Sequence, residues 1–461
     1  MASEVVDQLG QGQRFSKPYR TWFMALMVIV SALGVIDRTA ILTLGQAIKR
    51  DLLLTDQQFG LISGVGYALF YAILGLPLAR LADTGNRVRL VAIAVAGFSV
   101  FAFLCGFARS FIQLVACRVV VGLGEAGVLP PTTSVISDLY PPSRRGTALS
   151  ILAIGIPLGS LVGPIGAGYL ADAYSWRTVF LLLGAPGLII ALTAWFTLRE
   201  PPRGLSEQRR DDGPAPGALA VLRHLTAKPS FWHLVAGMAV TNFAAAGVGA
   251  FLPQYFTRQF NLGLGMTGVM FGVISAISLL AGTLSGGIVA DFLSGHDKRW
   301  YVWLPGLGVL VAMPLYVASF LLPYPAVALV VLTFAGAALF VYYTPTQALL
   351  QNMVEPRMRG TAAYIFFLIT GVVGLGFGPA LLGSLSDALA ARALGVEHFR
   401  LACPGGAAPA GSSAAAAAAC LSASAQGLRL AMSAMSCLYI WGAIHFALAA
   451  RTVRKDLEAA S

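Results

Sequence analysis

Long apolar runs alternate with short polar segments along this chain. Twelve runs of roughly 20 apolar residues can be placed, and about 20 residues is what a helix needs to cross a bilayer core. The first six fall at about 20–44, 58–80, 88–108, 113–136, 146–171 and 177–198. The second six fall at about 230–256, 266–290, 301–322, 325–348, 360–386 and 428–450. No water reaches backbone N–H and C=O groups inside a bilayer, so runs of this length read as helices. The first 19 residues are polar and the first run is long enough to span, so no cleavable signal peptide is expected.

The polar segments divide the chain. Arg199 to Lys228 holds Pro201, Pro202, Pro214 and Pro216 among charged residues and reads as a linker. The expected organisation is an N-terminal six-helix half at 1–199, a cytoplasmic linker at 200–228 and a C-terminal six-helix half at 229–461. Residues 388–427 form a low-complexity insert with an alanine run, Ala414 to Ala419. Cys403 and Cys420 both lie in it. An oxidising exterior would let them bond, but in so loose a segment two unpaired thiols are slightly favoured.

Internal repeats support the division. Arg145-Gly146-Thr147-Ala148 after the fourth run returns as Arg359-Gly360-Thr361-Ala362 after the tenth, 214 residues on. A small residue four positions before an aspartate closes every third run: Ala79 to Asp83, Gly168 to Asp172, Gly287 to Asp291 and Gly383 to Asp387. Helix capping and close packing explain each alone. Their spacing implies nested three-helix units, a plan common among secondary transporters.

Composition agrees. Charged residues make up 11% of the chain and hydrophobic ones 57%, too few charges for a water-facing surface of this length. The net charge of +11 does not point to nucleic acid. With the N-terminus placed in the cytoplasm, 21 of the 31 Lys and Arg fall in cytoplasmic segments and 8 in outer ones. That bias follows the positive-inside rule, with both termini cytoplasmic.

Asp37, Arg38, Arg118 and Glu125 are the ionisable residues well inside these runs. Each costs roughly 2.5–3.5 kcal/mol at a helix centre, so such residues mark function by default. Arg118 and Glu125, seven apart, share one face of the fourth helix about 10.5 Å apart, and a partner from the first helix fits between them. Asp37 and Glu125 are the candidate proton-coupling carboxylates, and Arg38 and Arg118 the candidate holders of an anionic substrate group. The alternative is a static ion pair that fixes helix register. The second half offers uncharged polar candidates for a cavity wall: Asn242, Tyr342, Tyr343 and Gln347, with Gln254, Thr344 and Gln351. One wall would be charged and the other greasy, which suits an amphipathic substrate.

Other motifs lead nowhere. Gly122 to Gly127 fits G-x-G-x-x-G but follows no strand, so close helix packing is the better reading. The five histidines are scattered and no Cys pair has C-x-x-C spacing, so no metal and no cofactor are expected.

Asp83-Thr84-Gly85-Asn86-Arg87-Val88-Arg89 after the second run resembles the loop signature of the major facilitator superfamily. It departs from it at Thr84, where a basic residue is usual, and at Asn86, where glycine is usual. That asparagine, Ile36-Asp37-Arg38, the stretch Arg118 to Ala126, and Ile156-Pro157-Leu158-Gly159-Ser160 are similar to the spinster-like branch. The resemblance is specific over about residues 30–180. It implies an all-α membrane fold of twelve helices in two pseudo-symmetric halves. It also implies a proton-linked carrier of lipid-like molecules such as lysophospholipids or sphingoid phosphates, working by alternating access. Asp83 and Arg87 would belong to a cytoplasmic gate with Arg144 and Arg145. The insert at 388–427 is not expected of that family.

A small organic-anion carrier is the alternative within transporters. A membrane lipid enzyme would need a nucleophile–base pair or metal set, and none is found. A receptor that kept the fold without transport would have no need of the buried charges. The expected setting is a bacterial inner membrane, with membrane lipids, protons and the substrate as partners, and the protein a monomer.

Overall fold

The structure is a computed structural model that describes residues 15–65, 77–78, 81, 84–205, 217–355 and 358–458. Among the described residues the regular structure is helical, and eleven helices are long and apolar enough to cross a membrane. The second predicted run contributes Asp56–Ser63, and most of its remainder lies outside the described residues. Thr55 starts it with a capping box: its hydroxyl accepts from the Gln58 N–H, and the Gln58 side chain accepts from the Thr55 N–H.

Several spans are jointed. The fourth is Phe111–Ala126 followed by Leu129–Leu139, and the second piece opens on prolines that lack the N–H a continuous helix would use. The fifth divides into Pro142–Ala153 and Gly155–Ala173. The eleventh runs from Arg359–Gly371 through a π-helical turn, Val372–Phe377, into Gly378–Leu394. A Cβ on Gly378 would lie 2.2 Å from the Phe243 carbonyl oxygen, so this turn holds the eleventh span directly on the backbone of the seventh.

The described ends of the chain share one side of the molecule, where Tyr19 donates to the Arg199 carbonyl and Lys228 to that of Asp456, and the halves meet toward the other, called here the far end. Two crossings of like construction join them. In the first, fifth and eighth spans touch: a Cβ on Gly168 would sit 2.2 Å from the Leu264 oxygen, and one on Gly268 2.1 Å from the Pro164 oxygen. In the second, the second and eleventh spans touch: a Cβ on Gly60 would sit 2.2 Å from the Pro379 oxygen, and one on Gly383 2.2 Å from the Asp56 oxygen. Small residues let these backbones approach as no side chain would allow.

The insert is more ordered than its composition suggests. The eleventh span continues to Leu394, a short helix covers Phe399–Ala402, and a 3-10 turn covers Pro404–Gly406. The twelfth helix begins at Ala414, ahead of the expected 428, and runs 36 residues to Ala449. Ser413 caps it, its hydroxyl accepting from the Ala416 N–H at 3.2 Å. This early start carries Cys420 back opposite Cys403, and the two are bonded, not unpaired.

Candidate functional site

Neighbours on a helix point about 100° apart, so Asp37 and Arg38 leave the first span in different directions. Both reach the fourth. Arg118 holds Asp37 with a two-pronged grip, Nη1 to Oδ2 at 2.7 Å and Nη2 to Oδ1 at 3.0 Å. Its Nη2 also approaches Cys105 Sγ at 3.5 Å, and its guanidinium lies 5.3 Å from the Phe180 ring centre. Arg38 donates to Glu125 Oε2 from Nε at 2.6 Å and pairs with it through Nη2 at 2.5 Å. The four intramembrane charges thus come together as two crossed pairs, both within the N-terminal half. They differ in exposure: the Asp37 and Arg118 side chains are nearly sealed, whereas 44% of the Arg38 side chain is accessible.

A cavity of about 320 Å³ lies between the halves, within the range of small-molecule sites. Arg38, Arg118, Ser63 and Ser160 line it from the N-terminal half. The opposite wall is Ala245, Val248, Phe271, Ile274, Leu339 and Phe340, relieved by the hydroxyls of Ser275, Ser278 and Tyr316. One wall is charged and the other largely apolar. The residues that give this second wall its polarity are not those expected. Tyr342 donates to Asn242 Oδ1 at 2.6 Å, and neither lines the cavity. Tyr343 and Gln347 do not line it either. Ser275, Ser278 and Tyr316 sit inside apolar runs, where short hydroxyl side chains leave little trace in a hydropathy pattern.

The gate candidates stay on the N-terminal side. Arg87 is buried and donates from Nε to Glu200 at 2.6 Å, to Ser134 at 3.0 Å and to the Pro201 carbonyl at 2.9 Å, and it pairs with Asp138. It locks the start of the third span to the fourth and to the beginning of the linker. Arg145 donates to the carbonyls of Ser137, at 2.8 Å from Nη2, and Tyr140, at 3.3 Å from Nε, bracing the turn between fourth and fifth spans. Arg144 is exposed, and Asp83 lies outside the described residues.

A second charge cluster, missed in the sequence, joins the halves at the far end. Asp56 pairs with Lys49 and takes a two-pronged grip from Arg258 of the seventh span, at 2.8 and 2.6 Å. Ser386 donates to Asp56 Oδ2 at 2.7 Å. Arg258 also donates to Gln46 at 2.8 Å and to Gln254 at 3.0 Å. Burial, and then the charge of Arg258, hold the Lys49 ammonium below lysine's usual range. Asp387 accepts from the N–H groups of Asp56 and Gln57 at 3.1 and 2.9 Å, capping the second span. Asp172 does the same for the eighth, accepting from Leu264 and Gly265 at 3.1 and 2.7 Å. Two of the four repeated aspartates therefore cap a helix of the opposite half, where an anion at a helix N-terminus is favoured.

Comparison with known proteins fits this geometry. The Major Facilitator Superfamily model matches residues 26–379. An MFS-type efflux pump of Mycolicibacterium smegmatis is 32% identical over 383 residues, 82% of this chain and 88% of that protein. A probable L-galactonate transporter of Escherichia coli is 26% identical over 418 residues, 86% of this chain and 88% of that one. The crystal structure of a bacterial homolog to the human lysosomal transporter spinster, inward-facing and unoccupied, superposes with a TM-score of 0.87. It is 32% identical, and the match covers 96% of this chain and 99% of that one. With eleven spanning helices among the described residues, two like halves with a cavity between them and relatives that are transporters and not enzymes, the chain belongs to the major facilitator superfamily as a spinster-like transporter.

Proposed function

We propose that the protein is a proton-linked carrier of an amphipathic, lipid-like anion of the lysophospholipid or sphingoid type. One observation carries the reading: two arginines face a largely apolar wall across a single cavity. Arg38, accessible and already engaged with Glu125, takes the anionic head group, and the alkyl part lies along Phe271, Leu339 and Phe340. Arg118 anchors the wall through Asp37. Protonation of Glu125 frees Arg38 for substrate, and Asp37 senses the same state through Arg118. Asn242, Tyr342, Tyr343 and Gln347 act one layer further toward the terminal side, where the substrate leaves or enters.

The halves rock about this cavity. The far-end cluster is the outer gate, closed here. On the terminal side Asp83 acts in the inner gate with Arg87, Arg144 and Arg145 when that side closes. The lysine and arginine bias favours a cytoplasmic terminal side, and we take the protein to work as a monomer in a bacterial inner membrane. Chemistry like that of the L-galactonate relative is the second reading, because an accessible arginine also suits a carboxylate. A sugar acid, though, presents more hydroxyls than Ser275, Ser278 and Tyr316 can pair on a wall that is otherwise apolar.

In proteoliposomes a lysophospholipid should inhibit uptake or binding at concentrations where galactonate does not. Glu125→Gln should stay folded and abolish the response of transport to an imposed pH gradient. If the variant responds to pH as the parent does, the proton site lies elsewhere.

A further inference from the structure

The insert between the eleventh and twelfth spans begins and ends in the C-terminal half, yet its tip rests on the N-terminal half. The Pro404–Gly406 turn lies against the short helix Gly45–Leu52 that carries Lys49. A Cβ on Gly405 would sit 2.9 Å from the Lys49 carbonyl oxygen and 3.3 Å from Arg50 Cα, so the contact is backbone on backbone. Gly405 and Gly406 have φ of +65° and +87°, values that glycine adopts freely and that shape the tip for this contact. The same tip, with Cys403, Lys49, Asp387 and Arg400, encloses a void of about 10 Å³, room for one water at most. The insert therefore roofs the far-end gate.

The disulfide fixes the tip. Cys403 immediately precedes the turn, and its partner Cys420 sits on the outer extension of the twelfth helix. Both are almost fully buried with Phe399, Ala390 and Ala423 in a small apolar core of their own. Apart from the backbone of the insert itself, among the described residues this bridge is the covalent tie between the turn and the twelfth helix. Any motion that parts the halves at the far end must lift Gly45–Leu52 off this tip.

From this arrangement we infer that Cys403 and Cys420 are positioning residues of a redox-sensitive outer latch. Bonded, they hold the tip on Gly45–Leu52 and keep the far end closed. A dithiol in the medium bathing that face cleaves the S–S bond by exchange. Two thiols form on the protein, the dithiol leaves as its own disulfide, and the freed tip lets the far end open more often. The inference rests on the rocking motion proposed above but not on the identity of the substrate.

Hydrogen–deuterium exchange of the full chain in nanodiscs tests it, with dithiothreitol as the dithiol and Cys403→Ser/Cys420→Ser as the genetic counterpart. Both should raise exchange in residues 45–63 at least about fivefold and leave 428–449 unchanged. Gly405→Val, which keeps the disulfide but places a branched side chain against the Lys49 carbonyl, should do the same without reductant. If reduction loosens only 395–427, or loosens 428–449 as well, the bridge is a staple of the C-terminal half and the latch is overturned. No change anywhere overturns it too. Should lysolipids fail to compete for transport while 45–63 still responds, the substrate reading falls and the latch stands.

Discussion

Two of the buried charge networks among the described residues differ in what they join. The central one, Asp37 with Arg118 and Arg38 with Glu125, ties the first span to the fourth inside a single half. The far-end one, Asp56 with Lys49 and Arg258, ties the N-terminal half to the C-terminal half. A rigid half can rock without disturbing the first, whereas every opening of the far end must break the second. Central charges can therefore serve binding and proton coupling throughout a cycle. The far-end charges can only set how readily one conformation gives way to the other. Each holds its carboxylates buried, so burial alone does not separate a binding site from a gate; which elements are joined does.

Removing a partner from each network sharpens the contrast. The largest effect is expected from Arg118→Ala, which strands the Asp37 carboxylate with nothing to replace the grip. Breaking a buried pair on one side costs about 3–5 kcal/mol. The variant should melt well below the parent in detergent, and Asp37→Ala added to it should recover much of the loss. A single variant as stable as the parent would mean that water, not Arg118, supports Asp37. Asp56→Asn comes next: it leaves Lys49 and Arg258 without their carboxylate, and opening of the far end relieves this by returning them to water, so conformation should shift more than melting. Losing about 2 kcal/mol of attraction between the halves shifts the opening equilibrium roughly thirtyfold. Exchange in residues 45–63 should report it, and an unchanged rate there would remove this cluster from the gate. Arg38→Gln is the smallest: glutamine keeps a donor for the buried Glu125 carboxyl, which can also take up a proton, so melting should fall little, while affinity for an anionic substrate falls about tenfold, or about 1.4 kcal/mol.

The same contrast explains what the sequence revealed. Asp37, Arg38, Arg118 and Glu125 stood out because a charge in the middle of an apolar run has no ordinary explanation, and all four proved to be partners. Lys49, Asp56, Arg258 and Asp387 lie at span ends, where charges are commonplace, so nothing marked them as buried. Asp387 alone of the four carried a signal, the repeated small-x-x-x-Asp pattern. It located Asp172 and Asp387 correctly, but it reads as capping within a half until the opposite helix is seen beside it. The twelve spans and two halves followed from apolar length and repeat spacing, both properties of the local chain. The cavity's second wall did not, because a serine or tyrosine in an apolar run faces either lipid or a neighbouring helix with equal sequence cost. The insert was misread for another reason. Ala414 to Ala419 looked like low complexity, yet alanine is the best helix former and Ser413 stands where a cap belongs.

Native mass spectrometry of gently purified protein bears most directly on the pairing of a charged wall with an apolar one. The parent should retain a single-chain anionic lipid that Arg38→Gln loses. A parent that carries no lipid, yet binds galactonate through Arg38, would contradict the amphipathic-carrier reading.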